Sequence, residues 1–141
     1  MKTVTLAIAL TILSMGQSGA ASFAGSWTAQ FQGRTFVRLE LKATNGAITG
    51  GISLGDLEVD DKGAPRHVGD PPRDLTPIVD VRQRGSTLLF ALKDGTDTDR
   101  FELRLLEGGR AELQFLPDEA TRKEIAASGV PVPKPIPLTR Q

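Results

Sequence analysis

The chain has 141 residues, with 17 Lys plus Arg against 17 Asp plus Glu, one His, no Cys and no Tyr. That length holds one domain, and the balanced charge supplies neither the field of a general nucleic-acid binder nor that of a polybasic membrane-surface protein. Without Cys there is no disulfide, thiolate zinc site, catalytic thiol or lipobox cysteine, and one His cannot build a multi-histidine metal centre.

Lys2 precedes an uncharged, largely apolar run from Val4 to Leu13, and Ser14 to Ala21 is small and polar. This pattern predicts a secretory signal peptide over residues 1–21, cleaved after Ala20 or Ala21. As a helix the apolar run would rise about 15 Å, roughly half of a hydrocarbon core, so it fits a membrane anchor poorly. Export of a chain without cysteine points to a bacterial periplasm or the exterior. No stable membrane span is expected after cleavage.

From residue 25 onward the apolar residues alternate with period two, which predicts strands. Trp27, Ala29 and Phe31 share one face, and Val37, Leu39 and Leu41 alternate with Arg38, Glu40 and Lys42. Asn45-Gly46 is a strong hairpin signal because both turn positions require positive φ. Ile48, Ile52 and Leu54 continue the next strand, whereas Leu57 and Val59 fall out of phase. Gly55-Asp56 at the change predicts a bulge or bend, or else a separate hairpin. Residues 61–74 have no periodicity and three prolines, and read as the one long loop.

Strands resume over 75–83 and 86–93, with Leu88, Phe90 and Leu92 inward, and over 99–107, with Phe101, Leu103 and Leu105 inward. Gly108-Gly109 turns into 110–116, with Ala111, Leu113 and Phe115 inward. Asp118 then caps a short helix that stops at Ser128-Gly129. Pro131, Pro133, Pro135 and Pro137 make an extended tail, whose missing donors confine it to a sheet edge or a partner groove. The domain plan is a signal peptide over 1–21, a barrel over 22–116, and a short helix with a Pro-rich segment over 117–141.

Strands in hairpin order, each with one apolar face, must close or stack to bury it. The expected fold is all-β: an antiparallel up-and-down meander closing into a small barrel of seven to eight strands, with a two-sheet sandwich as the alternative. Hairpin order puts Asn45-Gly46, Arg84-Gly85 and Gly108-Gly109 at one pinched end. The turn Gln32-Gly33, the 61–74 loop and Asp94–Asp97 fall at the other, where a binding mouth belongs.

The opening Gly25-Ser26-Trp27, the turn Gly33-Arg34-Thr35-Phe36 and the hairpin Asn45-Gly46-Ala47-Ile48-Thr49-Gly50 resemble the first two hairpins of the calycin barrels, the lipocalin and avidin type. The G-x-W start is shared by lipocalins and avidins, the G-x-x-T-G turn is similar to avidins, and the late helix with an extended tail is similar to lipocalins. The resemblance implies a barrel in which Trp27 plugs the closed end as packing. The avidin biotin site does not carry over. Arg34 stands beside Thr35 where a small hydroxyl residue follows the turn glycine, Ile52 stands where a Tyr is expected, and Trp27 is the only Trp.

His67 between Arg66 and Asp70 could act as a general base, and a Ser-His-Asp set could be drawn with Ser53 or Ser86. No nucleophile-elbow pattern accompanies them, and a solvated loop histidine explains the same residue. Asp94, Asp97 and Asp99 offer carboxylates to a cation, but Arg100 breaks the calcium-loop pattern, and turn chemistry explains them. No metal and no cofactor are expected. Arg34, Arg66, His67 and Arg73 fall at the looped end and form the candidate ligand mouth, where guanidinium groups would suit a carboxylate-tipped ligand.

The expected function is that of an exported, non-enzymatic barrel binding a small apolar or amphipathic ligand. The alternative is a periplasmic protein-binding module, such as an inhibitor or accessory subunit, using the pre-ordered tail Val130–Leu138. Small bacterial protease inhibitors use this type of barrel.

Overall fold

The computed structural model describes residues 19–141. Residues 1–18, most of the predicted signal peptide 1–21, therefore lie outside the described residues. A single 3-10 turn, Ala20–Ser22, leads into eleven strands and one helix. In chain order the strands are β1 (Gly25–Phe31), β2 (Arg34–Thr44), β3 (Ala47–Leu54), β4 (Leu57–Val59), β5 (Pro65–Val68), β6 (Thr76–Pro77), β7 (Val79–Arg84), β8 (Thr87–Asp94), β9 (Asp97–Leu106) and β10 (Arg110–Leu116). Helix α1 (Glu119–Ser128) and β11 (Ile136–Arg140) complete the chain.

Nine strands form one antiparallel sheet in the order β6-β3-β2-β1-β11-β10-β9-β8-β7, and β4 and β5 pair separately. The two edges of the large sheet, β6 and β7, are consecutive in the chain and separated only by Ile78. Ile78 donates its N–H to the Gly50 carbonyl at 3.0 Å. One bent segment thus pairs first with β3 and then with β8, and it nearly closes the sheet into a barrel. Within β7, Asp80 has a φ of +52°, and the β7–β8 register shifts there. With β6 and β7 taken as one bent strand, the nine strands become the eight that the upper expectation gave, and the sandwich is excluded.

The predicted strand phase follows the burial. Trp27, Ala29, Val37, Leu39, Leu41, Ile48, Ile52, Leu88, Phe90, Phe101, Leu103, Ala111 and Leu113 are all buried in one cluster, and Phe31, Leu54, Leu92, Leu105 and Phe115 pack partly buried against it. Alternation that puts one face inside is what fixes the register, since a one-residue slip would expose every one of these side chains. Phe90, Phe101 and Phe115 are cross-strand neighbours on β8, β9 and β10. Their ring centroids stand 5.6 Å apart in each pair. Such pairs add to sheet stability beyond the area they bury.

Two expectations are corrected. The 61–74 segment is not structureless: Leu57–Val59 breaks from β3 at Gly55-Asp56 and pairs with Pro65–Val68. The out-of-phase Leu57 and Val59 thus belong to a separate hairpin and not to a bulge in one long strand. The last part of the Pro-rich tail does not lie on a sheet edge. It is β11, between β10 and β1, with Leu138 fully buried, so the barrel does not end at Leu116.

The prolines are placed where no donor is needed. Arg140 donates to the Gly109 carbonyl beside β10, and Gln141 donates to Ser26 on β1. Backbone donors alternate sides along a strand. The N–H groups of odd-numbered residues would therefore face β1. The β1–β11 ladder ends at Thr28↔Thr139, and the next donor position toward β1 is Pro137, which has no N–H.

Helix α1 forms as predicted. The Asp118 carboxylate accepts from the Thr121 N–H at 2.7 Å, and Gly129 ends the helix in the left-handed conformation. None of its residues is buried.

Candidate functional site

The two barrel ends differ in kind. At the pinched end Trp27 is 1% exposed, its Nε1–H donates to the Phe23 carbonyl at 2.9 Å, and Phe23 itself is fully buried beneath the 3-10 turn. The Arg140 guanidinium lies 4.5 Å from the centroid of the Trp27 ring and donates to the Ser22 carbonyl. A cation over an indole face is attractive, and here it also ties the last strand to the first. Trp27 is therefore a packed plug.

At the looped end the chain leaves an apolar cavity of about 190 Å³ inside the barrel mouth. Phe36, Leu54, Leu57, Phe101, Phe115 and Ile136 give its character, and Lys134 supplies its one charged group. Local geometry explains each wall. A bulge between Ala29 and Gln30 leaves Phe36 without a partner on β1, so that Phe36 and Val37 are both buried in succession. Gly55 lets the hairpin cross the mouth: a Cβ there would stand 2.1 Å from the Gly69 carbonyl oxygen.

The predicted mouth residues divide. Arg34, Arg66 and His67 come together and line an open cleft of about 250 Å³ with Phe31, Gln32 and Val68. Arg34 pairs with Asp70 at 3.7 Å and donates to the Val68 carbonyl at 3.4 Å; Arg66 pairs with Glu58 at 3.5 Å. Both ion pairs are exposed, and such pairs contribute little and exchange readily. His67 is exposed on β5 opposite Glu58. Arg73 does not join them. It lies exposed in the strip that folds over the outside of β2 and β3, where Arg38 donates to the Pro72 and Arg73 carbonyls at 3.0 and 2.8 Å. The Ser53 hydroxyl donates to the Pro72 carbonyl in the same strip at 2.5 Å.

The β4–β5 hairpin stands between the two spaces. Leu57 lines the cavity, and its cross-strand neighbour Val68 lines the cleft. The hairpin tip is built around Asp60, whose Oδ1 accepts from the backbone N–H of Lys62 and of Ala64, both at 2.9 Å. Those bonds, that from Ala64 first, hold the carboxyl below its ordinary range, and Lys134 and Arg66 act in the same direction. The ionised, hydrogen-bonded carboxylate orders the tip at pH values above the ordinary 3.8, and that order is lost as pH falls through the lower, folded value. Acid titration followed by amide NMR should therefore show the Lys62 and Ala64 amides losing protection below pH 3.8 while strand amides of β9 and β10 keep theirs.

The cavity residues Phe36, Leu57, Lys134 and Ile136 are absent from the expected mouth. The doublet Phe36-Val37, which breaks the alternation, was the available signal for the bulge. Ile136 and Leu138, alternating with prolines, were the signal for a strand. Asp94, Asp97 and Asp99 sit at the β8–β9 turn in a groove shared with Asp118 and Glu124. Among the described residues no group of three or more His, Cys, Asp or Glu side chains is arranged to hold a metal ion. Among the same residues no helix is long and apolar enough to cross a membrane.

Comparison of the chain with protein-family models, with curated proteins and with solved structures finds no match.

Proposed function

We propose that this chain is an exported, non-enzymatic barrel protein of calycin-like type that takes a small apolar or amphipathic ligand at its looped end. One observation carries the proposal: an apolar cavity of about 190 Å³ at the mouth of a barrel whose other end is plugged by Trp27 and Phe23. Its size selects the ligand. An apolar cavity of about 150 Å³ holds benzene, whereas drug-sized ligands need roughly 300 Å³ or more. The cavity therefore suits a phenyl ring or a short alkyl chain. An anionic head group, left outside, would find Arg34 and Arg66 in the neighbouring cleft.

Calorimetry and NMR titration with benzene and with hexanoate test this. Saturable binding should shift Phe36, Leu57 and Phe115 and leave Trp27 unmoved. Leu54→Trp, which fills the cavity, should abolish binding of both probes, and Arg34→Ala should weaken hexanoate severalfold without affecting benzene. Failure of both probes to saturate would remove the ligand reading. The protein-binding alternative would then be preferred, because Val130 and Val132, 55% and 39% exposed, present apolar side chains on the Pro-rich segment. The export part of the proposal rests on residues 1–21, and a reporter fused to residues 1–24 would test it.

A further inference from the structure

One wall of the cavity differs from the rest in how it is held. The hairpin wall is fixed by a series of backbone bonds: Gly55 to Phe36 at 2.7 Å, Gly69 to Asp56 at 2.8 Å, Asp60 to Ala64 at 2.8 Å and Gly63 to Asp60 at 3.0 Å. The strap that follows helix α1, residues 130–135, supplies Pro133 and Lys134 to the lining beside the hairpin. Three of its six residues, Pro131, Pro133 and Pro135, have no donor. Its backbone bond to the hairpin runs from the Lys134 N–H to the Gly63 carbonyl at 2.9 Å, and the Lys134 ammonium is also attracted to the Asp60 carboxylate at the hairpin tip.

Gly63 is shaped for that contact. Its φ is +82°, and a Cβ on it would stand 2.6 Å from the Val132 carbonyl oxygen. Upstream, α1 buries no residue, and with only Thr121 and Ile125 half-buried it holds the strap weakly. Downstream, the ladder to β10 begins at Leu113↔Ile136, and the ladder to β1 begins only at Thr28↔Thr139. Swinging the strap about Pro135 would break that hydrogen bond and part the exposed Lys134 from Asp60, with every barrel ladder intact.

We propose that the strap Val130–Pro135 is a gate over the apolar cavity, latched by the Lys134 N–H on the Gly63 carbonyl and opening independently of the barrel. The proposal rests on the cavity being a ligand site, but the motion can be read without a ligand. Its proline content restricts the open strap, so reclosing loses less conformational freedom than it would for an ordinary loop. Lys134→Pro removes the latch donor and keeps the segment extended.

The chain has no cysteine, so a single introduced thiol reports access cleanly. Leu113→Cys places it at the cavity, and Leu39→Cys places it in the core away from the cavity, where labelling requires global opening; both positions are buried. Labelling with a small thiol reagent should be at least 100-fold faster in Leu113→Cys than in Leu39→Cys. Adding Lys134→Pro should raise the first rate at least tenfold and leave the second unchanged. Equal rates at the two positions, or no effect of Lys134→Pro at Leu113→Cys, would overturn the gate.

Benzene binding kinetics separate the gate from the ligand site. With a working gate, Lys134→Pro raises the association and dissociation rates of benzene together. If benzene fails to bind while the labelling contrast holds, the ligand site is lost and the gate stands. If benzene binds with rates that Lys134→Pro does not alter, the site stands and the gate is lost.

Discussion

Leu39→Asp is expected to prevent folding, while Glu40→Ala one position away is expected to change stability by no more than about 0.5 kcal/mol. Leu39 is fully buried and faces Trp27 across β1 and Ile52 across β3, so the new carboxylate meets apolar neighbours from both sides. Its loss of packing alone costs about 2–5 kcal/mol, and a buried polar group without a partner adds about 1–3 kcal/mol. Those together match the whole stability of an ordinary domain, about 5–15 kcal/mol, at its lower end. Glu40 is exposed and sits opposite Gly51, with no salt bridge among the described residues. Circular dichroism and urea titration of the two variants provide the measurement. Equal effects would show that the strand phase is wrong.

That contrast rests on what was most legible in the sequence. Where a strand buries one face and its pair lies next in the chain, alternation and turn chemistry suffice. β2, β8, β9 and β10 follow this rule, and so do the turns at Asn45-Gly46 and Gly108-Gly109, whose φ values are all positive. Helix α1 was legible for the same local reason, since its cap and stop are both written within its own residues.

The features that build the mouth were less legible because each is fixed by a partner distant in sequence. Phe36 turns inward through a bulge set by the β1 register. The β4–β5 hairpin depends on Gly55 and Gly69 crossing at close quarters. Pro133 and Lys134 reach the cavity because β11 inserts between β1 and β10, a pairing that the alternation of Ile136 and Leu138 with prolines does not specify. Arg34, Arg66 and His67 were brought together because hairpin order placed the β1–β2 turn and the 61–74 segment at one end. Arg73 was drawn away by a tertiary bond: its carbonyl is bound by Arg38 outside the barrel.

Gly50→Ala is expected to lose the native fold, whereas Gly46→Ala is expected to cost about 1–2 kcal/mol. Both glycines have positive φ, +155° and +78°, so conformation alone does not separate them. Space does. A Cβ on Gly46 meets nothing within 4 Å, and the variant carries only the strain of a side chain in the hairpin turn. A Cβ on Gly50 would lie 1.9 Å from the Glu40 carbonyl oxygen and 3.1 Å from the Leu41 Cα, both of which are backbone. Neither can move without parting β2 from β3.

The next residue is confined from the other side, since a Cβ on Gly51 would stand 2.8 Å from the Leu75 Cβ and 3.0 Å from the Thr76 carbonyl oxygen. Gly50-Gly51 is thus the point where β3 is held between β2 and the closing segment, and the Gly50 carbonyl accepts the Ile78 N–H that joins the sheet edges. Adding one methyl group at Gly50 strikes the β2 ladder, and the shift it forces pulls on the carbonyl that holds the closure. Thermal unfolding followed by circular dichroism checks the pair. A Gly50→Ala variant that melts cooperatively within a few degrees of Gly46→Ala would mean that β3 has room to shift and that the barrel is not closed through this contact.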